Sequence, residues 1–303
     1  MELWLHTFAV PGRVAETARW PEQAGFTGLL VADSHSLTAE LWVELTLAAV
    51  ATTRYRLGPG ATNPRTRALG VTASAAATLH AESGGRVVLG VARGGSAVHS
   101  AGLRAPSVAE FQDDLDELQR LLNGGLQWLA QSDAPKVPVH VAASGPRVLA
   151  AAARQAEGVD LTLGADPDRL RDAVERVGDA SVGAYLNVAV DDDRARAREL
   201  VRGSTATFAR FQGRTGHYDP ARHGRASAPL ARGLDDALID HFAVAGPPEE
   251  VAERLAAIAD AGVERLIVVP GSLDSDPIAL ARSNDRFAEA VLRSLVQPRS
   301  SGV

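Results

Sequence analysis

The sequence predicts a single α/β domain over residues 1–303, a (β/α)8 TIM barrel, on three observations. Short apolar runs with β-branched or aromatic content recur along the chain, each is followed by a stretch of 3.6-residue period, and the alternation continues without a break. Eight such units in about 300 residues suit one closed barrel, with a doubly wound open sheet as the structural competitor.

Taken in order, the predicted strands are Leu3–Phe8, Gly28–Asp33, Arg56–Asn63, Arg86–Ala92, Val137–Ala143, Val159–Gly164, Val182–Val190 and Arg265–Val269. The helices between them carry boundary chemistry. Ser107 and Glu110 form a capping box that opens the run to Leu122. Pro247-Pro248-Glu249-Glu250 places proline and acid where a helix starts. Gly25, Gly124 and Gly262 sit just past helical runs as C-cap candidates. Two insertions exceed a minimal barrel. Residues 123–136 follow strand four, and residues 191–263 follow strand seven, holding two helical patterns split by Gly213–Arg232. That separator, rich in Gly, Arg, His, Ser and Pro, reads as a lid-like loop at about 213–236 or as a plain solvated connection.

Composition narrows the function classes. The chain is 46% hydrophobic, 22% charged and 5% aromatic, which suits a packed core of Ala, Val and Leu. A net charge of −6 gives no electrostatic reason to expect nucleic acid or a membrane surface as partner. Zero cysteines exclude disulfides, thiolate nucleophiles and Cys-ligated metals, so redox chemistry here needs a bound cofactor. The start of the chain shows no export signal and no apolar stretch is long enough to span a bilayer, so the expected location is the cytoplasm. P-loop, zincin, α/β-hydrolase and H-x-H metal signatures are absent, and no metal site is expected.

In a barrel of this kind the carboxyl ends of the strands form the active face, so polar residues there draw attention. His6 and Thr7 end strand one, Asp33-Ser34-His35 strand two, Thr62-Asn63 strand three and Arg93-Gly94-Gly95-Ser96 strand four. Ser144-Gly145 follows strand five, Gly164-Ala165-Asp166 ends strand six, and Tyr185 and Asn187 lie within strand seven. Taken alone, Asp33 reads first as a helix cap and His6 as a core histidine. His35 differs, being flanked by Ser34 and Ser36 on a loop. His80, His99, His140, His217, His223 and His241 have no such placement and read as structural or surface residues. Ser144-Gly145-Pro146-Arg147 leads into a helix and points backbone N–H groups at whatever lies above, a geometry that fits phosphate, with Gly164-Ala165 as a second close backbone approach.

The runs VADSHS, Arg56–Gly102, AASGPRVLAAAARQAEGVDLTLGA and FAVAGPPEEVAERLAAIADAGVERLIVVP resemble the luciferase-like monooxygenase superfamily, in particular the branch of F420-dependent methylenetetrahydromethanopterin reductase-like enzymes. The likeness spans about residues 1–296, and Asn63–Gly94 is its most specific block. The resemblance implies a barrel holding coenzyme F420, or FMN as the alternative, at its C-terminal face. It places Asp33, Ser34 and His35 beside the ring, and Ala61, Thr62 and Asn63 at a strand-three bulge with a non-prolyl cis peptide within Gly60-Ala61-Thr62. It also places Arg93 and Gly94 at the ring edge or the ribityl chain, and Ser144, Gly145, Gly164 and Ala165 at the phosphate. There are departures. Ser34 separates Asp33 from His35, Gly95 stands where many members carry an acid, and Lys136 is the only lysine, set before strand five rather than near a phosphate.

Three functions follow as expectations. The first is hydride transfer between F420 and a small organic substrate, with a proton moved by His35 or His6. The second is an FMNH2-dependent monooxygenase supplied by a separate flavin or F420 reductase. The third is a flavin-binding barrel without catalysis. The resemblance also implies a homodimer, and the Ala73–Ala77 face suits close helix packing.

Overall fold

The computed structural model describes residues 1–131, 133–211, 231, 233–271 and 275–296. The lid expected at about 213–236 lies outside the described residues, apart from Ala231 and the start of the helix that follows. The strands are β1 (Glu2–Thr7), β2 (Gly28–Val31), β3 (Arg56–Pro59), β4 (Leu89–Val91), β5 (Val139–Ala143), β6 (Gly158–Leu161), β7 (Ser181–Val190), β8 (Ala243–Gly246) and β9 (Arg265–Val269). The helices are α1 (Val14–Ala24), α2 (Leu41–Ala51), α3 (Leu69–Glu82), α4 (Ser96–Ser100), α5 (Val108–Arg120), α6 (Pro146–Gln155), α7 (Pro167–Val177), α8 (Arg194–Phe211), α9 (Asp236–Phe242), α10 (Pro248–Asp260) and α11 (Pro277–Arg286).

Every strand pairing is parallel, in the order β3-β2-β1-β9-β7-β6-β5-β4. Single parallel bridges, Leu57 to Val87 and Thr62 to Val91, bring β3 back to β4, so eight strands form a nearly closed barrel with helices between them. One strand was not predicted. β8 pairs with the end of β7, and Asn187 lies opposite Val269 on one side and Ala243 on the other. Since one residue has only two strand neighbours, β8 takes the edge of β7 beyond the point where β6 stops. The predicted strands three and four also run too long, because residues after Pro59 leave regular pairing and touch β4 again only at Thr62.

Alternation along the strands sorts the side chains. Leu3, Leu5, Leu29, Val31, Leu57, Leu89, Val139, Val141, Val159, Leu161, Leu266 and Val268 point outward and join the helices in the main core. Trp4, Leu30, Val88, Tyr185, Ile267 and Val269 form a separate cluster inside the ring. The floor of that interior is charged. Arg265 donates to Asp160 at 2.7 Å, and Arg265 and Arg56 lie over the Trp4 ring at 5.8 and 5.6 Å. Gly28 and Gly183 make this floor possible, because a β-carbon on either would strike the Trp4 ring or the Asp160–Arg265 pair. Among the described residues no helix is long and apolar enough to cross a membrane.

Candidate active site at the carboxyl rim of the barrel

β1 carries His6 to the rim on the inner face, opposite Leu30 of β2. Its ring nitrogen Nε2 lies 2.8 Å from the Gly60 carbonyl oxygen. A carbonyl only accepts, so Nε2 carries the hydrogen, and Nδ1 is a bare nitrogen, buried without a partner. Burial lowers the His6 pKa to about 4, with the Gly60 bond opposing only part of that shift. This geometry gives His6 a positioning part beside the bulge and leaves His35 as the more open candidate for moving a proton. Near neutrality its single N–H is committed to Gly60, and it holds the bulge in place.

The peptide bond between Gly60 and Ala61 is cis, at the place the resemblance indicated. Thr62 is stitched to β4, its N–H donating to Gly90 and its carbonyl accepting from Ala92. Its hydroxyl donates to Asp33 Oδ2 at 2.6 Å. Arg67 donates to the same carboxylate oxygen at 2.6 Å and reaches Glu40 at 2.6 Å with its other nitrogen. Asp33 is thus a carboxylate clamped by the bulge after β3, through Thr62, and by the loop that follows it, through Arg67. Next to it Ser34 is buried with an unpartnered Oγ, whereas His35 is exposed, its Nε2 3.5 Å from Ser100 Oγ.

Several predicted residues are spent elsewhere. Asn63 accepts from the backbone of Arg65 and Thr66 at 3.0 Å and donates to Thr66 Oγ1, which makes it the organiser of its own loop. Arg93 gives its guanidinium to the Pro106 carbonyl, with Nε at 3.0 Å, and ties down the segment around α4. Gly94 has φ +95° and packs against Val98, where a β-carbon would collide. The two halves of the expected phosphate seat differ. The Ala165 N–H donates to the His241 carbonyl at 2.9 Å, a β-carbon on Gly164 would lie 2.8 Å from that oxygen, and Asp166 caps α7 with its own carboxylate. An anion at α7 would meet that charge. By contrast, α6 has no side-chain cap, a β-carbon on Gly145 would have nothing within 4 Å, and Arg147 is exposed in its first turn. One half of the expected seat, Ser144-Gly145, therefore offers open N–H groups and the positive end of a helix.

Sequence reasoning missed Arg67, whose role depends on a partner 34 residues away. Tyr185, which the sequence places within strand seven, is a further residue of this rim. It reaches the same place, with its ring 5.8 Å from that of His6.

A parallel barrel whose carboxyl rim gathers a cis-peptide bulge, a clamped carboxylate and an uncapped helix start defines a class of ligand-binding TIM barrels. The model of the luciferase-like monooxygenase family matches residues 2–265, so the chain belongs to that family and is an oxidoreductase of that type. It is 26% identical to the 5,10-methylenetetrahydromethanopterin reductase of Methanolobus tindarius, over 84% of this chain and 89% of that one. It is 28% identical to the F420-dependent glucose-6-phosphate dehydrogenase of Beutenbergia cavernae, over 90% of each chain. The solved structure of the coenzyme F420-dependent tetrahydromethanopterin reductase from Methanopyrus kandleri superposes with a TM-score of 0.77 at 22% identity, covering 97% of this chain and 99% of that one.

Proposed function

We propose that the chain is an F420-dependent oxidoreductase that moves a hydride to or from a small organic substrate. The observation that carries this reading is the open start of α6 at Ser144-Gly145, set on the same rim as the cis bulge at Gly60-Ala61. A ring resting on the bulge and a phosphate at α6 are what a tricyclic, phosphate-tailed cofactor requires. The relatives whose names carry F420 support the deazaflavin over FMN.

In this reading the backbone of Gly145 and the Arg147 guanidinium hold the phosphate. Ala61 and Thr62 would support the ring, and Asp33, held by Thr62 and Arg67, would stand beside it as a fixed carboxylate. When bound, the deazaflavin supplies the carbon that gives or takes the hydride. His35, exposed on the loop after β2, is the residue that would move a proton in this reading. The enzyme works as a homodimer in the same proposal, supported by the apolar outer face of α2.

Titration of the apoprotein with F420 and with FMN, followed by fluorescence quenching, tests the reading. Saturable binding of F420 at lower concentration than FMN is the expected result. The reverse order, with oxygen uptake when reduced FMN is supplied, replaces it with the monooxygenase reading. His35→Ala leaves F420 binding in place and lowers turnover; unchanged turnover removes His35 from proton delivery.

A further inference from the structure

Tyr185 stands on the inner face of β7 in register with Ile267 and is 5% exposed. Its ring belongs to the apolar cluster of Trp4, Leu30, Val88, Ile267 and Val269, yet its Oη has no hydrogen-bond partner. Buried hydroxyls are nearly always paired, and an unpaired one costs stability that a phenylalanine in the same box would not. The hydroxyl faces the bulge. A β-carbon built on Gly60 would lie 3.2 Å from Tyr185 Oη and 2.9 Å from the His6 ring. An orphaned donor therefore looks onto the stretch of rim that carries the Gly60-Ala61 cis peptide.

We propose that Tyr185 is a ligand-binding residue of the rim site, its Oη–H donating a hydrogen bond to an uncharged acceptor oxygen, carbonyl or hydroxyl, on the molecule that lies against Gly60-Ala61. The assignment rests on the F420 reading, and the oxygen has two sources, the ring carbonyls of the cofactor or the oxygen of a substrate. Burial raises the Tyr185 pKa well above its usual value of 10, and the nearby Asp160 charge adds to that, so the group keeps its proton and remains a donor.

Tyr185→Phe removes only the oxygen. Thr72→Val is the control, because Thr72 on α3, in the outer helix ring, is 2% exposed and its Oγ1 is likewise unpartnered. Each variant relieves an unpaired buried hydroxyl and raises the thermal midpoint of the apoprotein, by about 2 °C. Only Tyr185→Phe weakens a ligand. If the oxygen belongs to the cofactor, the Kd for oxidised F420, read by quenching, rises about fivefold. If it belongs to the substrate, the F420 Kd stays unchanged and the Kd of 2-propanol or acetone for the F420-loaded protein, read by calorimetry, rises by that factor. Wild-type values in both titrations overturn the proposal, as does a fall in the midpoint, which marks the hydroxyl as structural. A parent chain that binds no F420 sinks the cofactor reading instead. The midpoint rise then still separates Tyr185 from a structural residue, and its absence overturns both.

Discussion

His6 is neutral at pH 7, with its one N–H on the Gly60 carbonyl, because the folded chain protonates it only near pH 4. The unfolded chain takes up that proton near 6.5, so stability from keeping His6 neutral is intact above that pH and is lost as pH falls towards 4. The loss amounts to about 3 kcal/mol. His6→Gln keeps a donor for Gly60 and cannot titrate. Urea unfolding at pH 7 and pH 4 should show the parent losing about 3 kcal/mol more than the variant; parallel losses remove His6 as the cause. The same residue shows where legibility ended. Polar residues at strand ends marked Asp33, Thr62 and His6 correctly as rim residues, but a side chain's partner is not written next to it. Asn63 turned to Thr66, Arg93 to Pro106 and Ala165 to His241, and only folding brings the last two pairs together.

Among the elements, α2 departs most from an ordinary surface helix. Its sequence LWVELTLAAVA is apolar on almost every face, and while Leu41, Leu45 and Ala48 are buried against the barrel, Val43, Leu47 and Val50 are exposed, with Val71 of α3 exposed as well. A helix apolar all round is normally buried on all sides. Leu47→Glu with Val50→Glu should convert a dimeric parent to monomer in light scattering without loss of helix content; a variant that stays dimeric places the contact elsewhere. The elements themselves were largely readable, since eight apolar runs became eight strands and the Ser107–Glu110 capping box opens α5 as expected. β8 was not, because Ala243–Gly246 follows α9 directly and its Ala-Val-Ala-Gly offers one β-branched residue, Val244, and no aromatic. The bulge after β3 was legible through the family resemblance alone, since Gly60 to Asn63 continue an extended pattern and nothing in the residues themselves announces the cis bond at Gly60-Ala61.

For the whole molecule, the charged floor and the polar rim divide the barrel into a foundation and a working end. Burial alone would raise the Asp160 carboxyl, but the Arg265 charge and the His140 contact hold its pKa at about 2, so the pair remains ionised while the protein is folded at ordinary pH. Arg265→Met strands that carboxylate and should cost about 3–5 kcal/mol in urea unfolding. Arg265→Met with Asp160→Leu should regain most of it, since no lone charge is left inside. A single variant as stable as the parent denies the floor this role.

The staggered end of β7 shapes access from outside. Because its last residues climb past β6 and are flanked there by β8, one side of the opening stands taller than the other, like a parapet. Whatever enters the rim therefore meets a wall of paired backbone on the β7–β8 side.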